Sequence, residues 1–353
     1  MVLSAPAPGD LVLVTGATGY IGGRLVPRLL DLGYRVRVTH TDPNQVKRAW
    51  WSDRVDTVPM DVADPEQVLA ACAGAAAVFS LMHSMTSTDF AERERRAAQH
   101  VAAAVTRHGV RRVVYLSGIV PPGPPEQLSP HLQSRWRVER ILTGTPADVV
   151  TLRAAVVLGS GSTSFEIIRQ ISERLPVAAV PTWLHARVQP IAVVDVLEAL
   201  VGALTTGVAG SYDVGGPTVL PYRELLAVYA ARAGLSRPRV AVPFLSTDLI
   251  GALTAALTDV PGATVQALVE SLRHDMVAAD DRFLALLPPG YPLLEVGESI
   301  ERALAPADTG VPPARRDPMS RMPQDPFWTG GGVPRPFAVR VLDALAAVLP
   351  ERR

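Results

Sequence analysis

Thr15-Gly16-Ala17-Thr18-Gly19-Tyr20-Ile21-Gly22-Gly23 follows the apolar run Leu11 to Val14 and opens an apolar-periodic segment. Strand, glycine turn and helix in that order suit the pyrophosphate of a dinucleotide. Gly16 permits the tight turn, Gly19 lets the backbone approach the phosphates, and Gly22 lets the helix pack on the sheet. The amides of the first helical turn, Thr18 to Gly22, then have no partner within the helix and face an anion. Ile21, Leu25, Leu29 and Leu32, with Val26 and Leu30 beside them, give this helix a broad apolar face.

Further strands are expected at Tyr34 to Thr39, Val55 to Met60, Ala75 to Leu81, Arg112 to Leu116 and Val149 to Arg153, with helices from Asp64 and from Ala91 to His108 between them. This short-spaced alternation is the signature of an α/β chain with a Rossmann-like, doubly wound parallel sheet. Ligands of such sheets sit beyond the carboxyl ends of the strands. Gly16 to Gly22, Asp61, Leu81 to Ser84 and Ser117 therefore converge on one crevice. Asp61 and Val62 follow the third strand, where a carboxylate and an adjacent amide can meet an adenine edge. Later segments are read as a smaller, mostly helical lobe: a short strand at Arg187 to Ile191, helices at Val194 to Thr205, Tyr222 to Gly234, Phe244 to Leu257 and Val265 to Leu272, and a turn-rich stretch from Gly207 to Gly216. The expected division is a dinucleotide-binding core over 1–155, remaining sheet elements and substrate lobe over 156–305, and a proline-rich arm with a terminal helix near Phe337 to Leu349 over 306–353.

Composition narrows the function. The 353 residues carry 34 basic and 34 acidic side chains, so no net field invites nucleic acid or an anionic membrane. A lone cysteine, Cys72, leaves no intramolecular disulfide framework and suits a reducing cytoplasm. The apolar run Phe244 to Pro261 contains Asp248 and Asp259 and reads as a buried or interface helix, not a membrane span. The seven histidines form neither H-x-x-x-H nor H-E-x-x-H, so no protein-held metal is expected. Met82, Met85, Phe165 and Trp183, with His83 and His185 nearby, suggest a pocket for a small apolar or aromatic substrate.

The glycine turn, together with Asp61-Val62, Tyr115-Leu116-Ser117-Gly118, Leu128-Ser129-Pro130-His131-Leu132-Gln133-Ser134-Arg135, Leu152-Arg153-Ala154-Ala155, Gln189-Pro190-Ile191 and Asp325-Pro326-Phe327-Trp328-Thr329-Gly330-Gly331, resembles the extended or atypical short-chain dehydrogenases/reductases. The resemblance is to their NmrA-like NAD(P)H-binding branch and runs from Leu11 to about Gly332. Long bacterial relatives continue into a second C-terminal domain, and this chain is expected to be without it. In active relatives a tyrosine moves a proton to or from the substrate oxygen, a lysine four residues later supports it, and a serine positions the oxygen. The resemblance implies that Ser117 is that serine, His131 the tyrosine-like residue and Arg135 the lysine-like one. With Lys47 as its single lysine, the chain holds no Tyr-x-x-x-Lys pair. His131 and Arg135 share a helix face, which leaves His131 able to protonate an oxygen, to orient substrate or to pack the helix. Arg135 can also hold a cofactor ribose or phosphate.

Cofactor choice turns on the end of the second strand, where a carboxylate receives ribose hydroxyls and an arginine receives a 2′-phosphate. Here stand Thr39-His40-Thr41-Asp42, with Arg37, Lys47 and Arg48 near in sequence. NADP(H) is favoured over NAD(H), with Asp42 as the counterargument. The expected cofactor contacts are Gly16, Thr18, Gly19, Tyr20, Ile21, Gly22, His40, Thr41, Asp61, Val62, Leu81 and Arg135. Three functions fit this reading: an NADP(H)-associated oxidoreductase or tailoring enzyme for an apolar carbonyl or activated alkene, a nonredox isomerase, cyclase or dehydratase with bound cofactor, and a cofactor-sensing binding protein. Homo-oligomerisation is compatible with each.

Overall fold

The computed structural model describes residues 4–82, 90–121, 123–181, 184–242, 246–333 and 339. Its main sheet has seven strands, all parallel. Six are β1 (Leu11–Thr15), β2 (Arg35–His40), β3 (Asp56–Pro59), β4 (Ala77–Ser80), β5 (Arg112–Gly118) and β6 (Asp148–Ala154). The seventh is the strand Gly210–Val214, which pairs with β6 at the edge next to it. The stretch expected as a turn-rich loop around Ser211 to Val214 is thus part of the sheet. Its alternation is too short to stand out, and β6 supplies the ladder that makes it a strand.

Helices α1 (Tyr20–Asp31), α2 (Pro43–Lys47), α3 (Pro65–Cys72), α4 (Phe90–His108) and α5 (Pro130–Thr143) connect or cover these strands. Each side of the sheet has its own apolar cluster. One contains Val12, Val14, Phe79 and Val114 with Leu25, Val26 and Leu29 of α1; the other contains Leu13, Val78, Val113 and Tyr115 with Val101 of α4 and Val138 of α5. Successive strand residues point to opposite faces, so fully buried strands read as continuous apolar runs. Burying each of the three α1 side chains contributes roughly 1.5–3 kcal/mol. The result is a Rossmann-like doubly wound sheet, as the strand pattern predicts.

The later chain adds α6 (Thr163–Arg174), α7 (Val193–Thr205), α8 (Tyr222–Arg232), α9 (Thr247–Leu257), α10 (Gly262–Ser271) and α11 (Val296–Leu304), with three two-stranded ladders. A separate cluster unites Phe165, Ile168, Leu225, Tyr229 and Ile300 from α6, α8 and α11. Phe165 and Tyr229 meet edge to face with ring centroids 5.8 Å apart. The lobe is tied to the core near the crevice: Ser129, which caps α5, lies 3.2 Å from Ser271 of α10, Oγ to Oγ. Among the described residues no helix is long and apolar enough to cross a membrane, and no group of three metal-ligating side chains occurs.

The proline-rich stretch after α11 is packed, not draped loosely. Met319 is fully buried and Trp328 joins Ile167, Val260, Val265 and Val269 in a small cluster. Its deepest anchor is Asp325, which meets the buried Arg24 of α1 through two hydrogen bonds of 2.8 Å. Arg24 also donates to the carbonyls of Tyr20, Ser160, Pro318 and Ser320. The expected terminal helix at Phe337 to Leu349 lies outside the described residues apart from Val339, which is helical and exposed.

Candidate functional site

The glycine turn closes because two positions admit no side chain. Gly16 has φ +72°, and a Cβ there would lie 2.8 Å from the Leu81 carbonyl oxygen at the end of β4. At Gly22 a Cβ would lie 2.3 Å from the Gly16 carbonyl oxygen and 2.7 Å from Ala17 Cα. The first helical turn is pressed onto the loop, and no side chain caps its exposed amides. Thr15 Oγ1 donates to the Phe79 carbonyl at 3.0 Å and accepts from Leu81 N at 3.3 Å, locking the ends of β1 and β4 together. This cradle fits a pyrophosphate: it offers backbone donors and no side-chain bulk.

From it a cleft of about 640 Å³ runs along the carboxyl ends of the strands, within the size of small-molecule and cofactor sites. Gly16, Thr18, Gly19, Tyr20, Ile21 and Gly22 line one end. The Tyr20 ring turns away from the cradle: its hydroxyl is buried against Gly159, and its face carries the Arg24 guanidinium 4.0 Å from the ring centroid.

Beyond the ends of β2 and β3 the cleft is lined by His40, Thr41, Asp61 and Val62, joined by Thr39 and Gln45. His40 Nδ1 is buried and has no hydrogen-bond partner among the described residues. Asp42, the feared ribose carboxylate, caps α2 by accepting from Asn44 N at 2.9 Å. Arg37 is turned the other way: its guanidinium donates to the carbonyls of Ala71 and Ala73 at the end of α3, so it supplies no charge to the crevice. Asp61 accepts from Ala63 N, and the Val62 carbonyl meets His100 Nδ1 at 2.7 Å.

The other end is built by β5 and α5. Ser117, His131 and Arg135 all line the cleft, and Leu81 borders it from β4. Ser117 is 6% exposed, and its Oγ makes no hydrogen bond among the described residues. His131 occupies the first turn of α5, where Ser129 Oγ accepts from Leu132 N. One turn on, Arg135 Nη1 donates to the Tyr115 hydroxyl at 3.1 Å. Burial pushes the Tyr115 phenol above its ordinary value, and the Arg135 guanidinium works against that rise. Burial also opposes the charge on Arg135, but Tyr115 and Glu94 outweigh it, so this arginine holds its proton more firmly than usual. Glu94 of α4 is buried and accepts from Ser134 Oγ at 2.5 Å.

Several expected substrate contacts fall elsewhere. Phe165 is fully buried in the lobe core against Tyr229, away from the cleft, because the phase of α6 turns Ser162, Thr163 and Ser164 toward it instead. His185 is exposed and pairs with Arg223 at 3.0 Å, outside the cleft lining. His83, Met85 and Trp183 lie outside the described residues. The residues that do border this end are Met82, Leu132, Leu268, Ser271 and Met276. Tyr115 and Glu94 were overlooked as site residues: a tyrosine inside an apolar strand reads as core, and a glutamate in a charged helix reads as surface.

The sequence profile of an NAD(P)H-binding family matches residues 16–181, from the glycine turn to the strand Ala178–Pro181 that follows α6. Over these residues the chain is similar to the atypical short-chain dehydrogenases/reductases. The chain is 28% identical over 290 residues to the 3-diazoavenalumate denitrifying reductase of a Streptomyces species, covering 71% of this chain and 91% of that protein. It is 33% identical over 132 residues to the ketoreductase adrE of Penicillium roqueforti, covering 33% of this chain and 39% of that protein, so it spans well under half of the ketoreductase. Its fold matches that of the Bordetella bronchiseptica enzyme WbmH in complex with NAD+, with a TM-score of 0.62 at 19% identity over 83% of this chain and 96% of that one.

Proposed function

We propose that this chain is an NADP(H)-dependent oxidoreductase, a tailoring-type reductase for a mainly apolar carbonyl or activated alkene. The observation that carries the reading is the convergence of Ser117 and His131 on the cleft rooted in the glycine cradle. In this reading residues 1–155 hold the cofactor and 156–305 supply the substrate wall. A nicotinamide bound in the cleft supplies the hydride. Ser117 holds the substrate oxygen through its hydroxyl, and His131 delivers the proton to that oxygen. Arg135 keeps positive charge beside both and steadies the oxygen as negative charge develops. Leu132, Leu268 and Met276 supply apolar surface for the rest of the substrate.

Preference for NADP(H) is supported by Asp42, whose engagement as a helix cap leaves no strand-end carboxylate facing the ribose, and by the unpartnered His40 Nδ1. The test is calorimetry with NADPH, NADP+, NADH and NAD+, followed by NADPH absorbance during turnover of an aromatic dicarbonyl such as phenanthrenequinone. Saturable binding with NADPH tightest is expected. Gly19→Val should abolish it by placing a branched side chain where backbone meets phosphate. His131→Phe should keep binding and fold while lowering turnover by about 10²–10⁴, the range of general acid–base groups. Tighter NADH binding would overturn the cofactor preference, and full activity in His131→Phe would remove His131 from the chemistry.

A further inference from the structure

We propose that the N-terminus of α6 is a second anion site in the cleft, one that receives a carboxylate carried by the substrate. The inference rests on the reading above that this end of the cleft takes the substrate, and it narrows that substrate to an apolar acid.

Two helices start on the cleft without a side-chain cap, α1 after Gly19 and α6 after Ser162. Gly19 has no side chain with which to cap. Ser162 has one of the best, yet its Oγ donates to the Val157 carbonyl at 2.6 Å and leaves the helix start open. The first backbone bond into α6 runs from Glu166 N to the Ser162 carbonyl at 2.9 Å. The amides of Thr163, Ser164 and Phe165 come before that ladder, and no side chain covers them. Ser162, Thr163 and Ser164 line the cleft, and the last two add half-buried hydroxyls. An open helix start on a cleft wall attracts negative charge.

The glycine turn and α1 account for the pyrophosphate of a dinucleotide, which leaves α6 for another anion. The two helix starts adjoin: a Cβ at Gly161 would lie 3.2 Å from Tyr20 Cδ2. Independent evidence that a polar group arrives at this end comes from Ser117, which is 6% exposed, lines the same cleft and makes no Oγ hydrogen bond among the described residues. In the sheet Ser117 lies beside Arg153 and Gly118 beside Ala154, and the cleft wall continues through Ala154, Ala155 and Val157 to the start of α6. From Ala154 to Ser164 that lining carries no acidic side chain.

The charges behind the turn favour a monoanion. Glu166 is fully buried and accepts from Gly161 N at 3.2 Å and Gly331 N at 3.0 Å, with Arg169 3.7 Å away. Asp325, against Gly161, is matched by Arg24. With one carboxylate already held at this helix end, a single negative charge is accommodated more readily than the double charge of a phosphate ester.

The test is calorimetry on the full chain with saturating NADP+, using naphthoate, its uncharged amide naphthamide, and naphthyl phosphate as probes. Naphthoate should bind about tenfold more tightly than naphthamide, in keeping with a partly buried charge at a helix terminus. Thr163→Pro removes an amide and a hydroxyl at the first helical position, where proline is tolerated, and Ser162 is already extended at ψ 131° as the residue before a proline should be. Ser164→Asp instead gives the helix start a negative charge of its own. Both variants should keep their NADPH affinity and erase the naphthoate preference, and Ser164→Asp should do so while raising the melting temperature. Equal binding of naphthoate and naphthamide, no saturable naphthoate binding, or a preference that persists in both variants would overturn the site. A loss of NADPH affinity as large as that of naphthoate would overturn it too, by giving the α6 amides to the cofactor. Tighter binding of naphthyl phosphate would overturn the choice of a carboxylate. None of these measurements needs turnover, so a naphthoate preference in a chain that reduces no carbonyl would overturn the reductase reading and leave the site standing.

Discussion

Two buried arginines of this chain solve the same electrostatic problem in opposite ways. Arg24 is 2% exposed and spends its guanidinium on six hydrogen bonds, two of them to Asp325. Arg135 is 6% exposed and makes one side-chain hydrogen bond among the described residues, to Tyr115. Glu94 acts on it electrostatically. A buried charge that is fully coordinated holds the structure together. One left with unused donors along a cleft wall is equipped to meet something that arrives there. Saturation, more than burial, separates the two roles.

The largest expected effect comes from breaking the saturated site. Arg24→Ala strands the Asp325 carboxylate and several carbonyls, and removing one partner of a buried pair costs about 3–5 kcal/mol. Asp325→Asn is the milder companion should the first variant fail to accumulate. Arg135→Ala loses one hydrogen bond and should cost on the order of 1 kcal/mol, with turnover falling far more than stability. Urea unfolding of both variants checks the contrast, and equal destabilisation would dissolve it.

A third buried charge sharpens the comparison. Asp195 of α7 is fully buried and accepts from the Tyr291 hydroxyl at 3.0 Å and from Leu294 N at 3.1 Å. Burial outweighs these bonds and pushes its carboxyl from 3.8 up to about 6. The folded state thus favours the protonated acid. Its stabilising contribution is complete below pH 3.8 and is lost as the pH rises through about 6. Relative to Asp195→Asn, the native chain should lose on the order of 3 kcal/mol between those limits, measured as the difference in unfolding free energy across the pH series. A constant difference would show that the carboxyl stays ionised throughout.

The smallest effect concerns the adenosine end. With Arg37 turned toward α3, the basic side chains that follow His40 in sequence are the exposed Lys47 and Arg48. A preference for NADPH over NADH built on such groups should be about tenfold at low salt and shrink severalfold at high salt. A salt-independent preference would assign it to hydrogen bonds from His40 and Thr41 instead.

The parts legible in the sequence are those with a local signal. Gly16, Gly19 and Gly22 announce the turn, and five expected strands fall within one or two residues of those observed. That His40, Thr41, Asp61 and Val62 share one cleft follows from strand order, because parallel strands end on one side. What could not be read depends on partners far along the chain. Arg24 sits on a helix face that periodicity assigns to packing, and nothing nearby announces Asp325. Phe165 was misplaced because an aromatic beside three small polar residues does not reveal the phase of its helix. Tyr115 lies in an apolar strand and carries no local sign of Arg135, which becomes its partner once α5 lies over β5.

The pairing of Arg24 with Asp325 spans 301 residues, which has a consequence during synthesis. At about 5–20 residues per second, the first helix waits some 15–60 s on the ribosome before its counter-charge has even been made. Throughout that interval the nascent glycine turn and its helix carry an arginine that cannot yet be buried. The amino-terminal unit is therefore predicted to stay loosely closed until translation reaches the strap, making emergence of that segment the event that commits the chain to its native form.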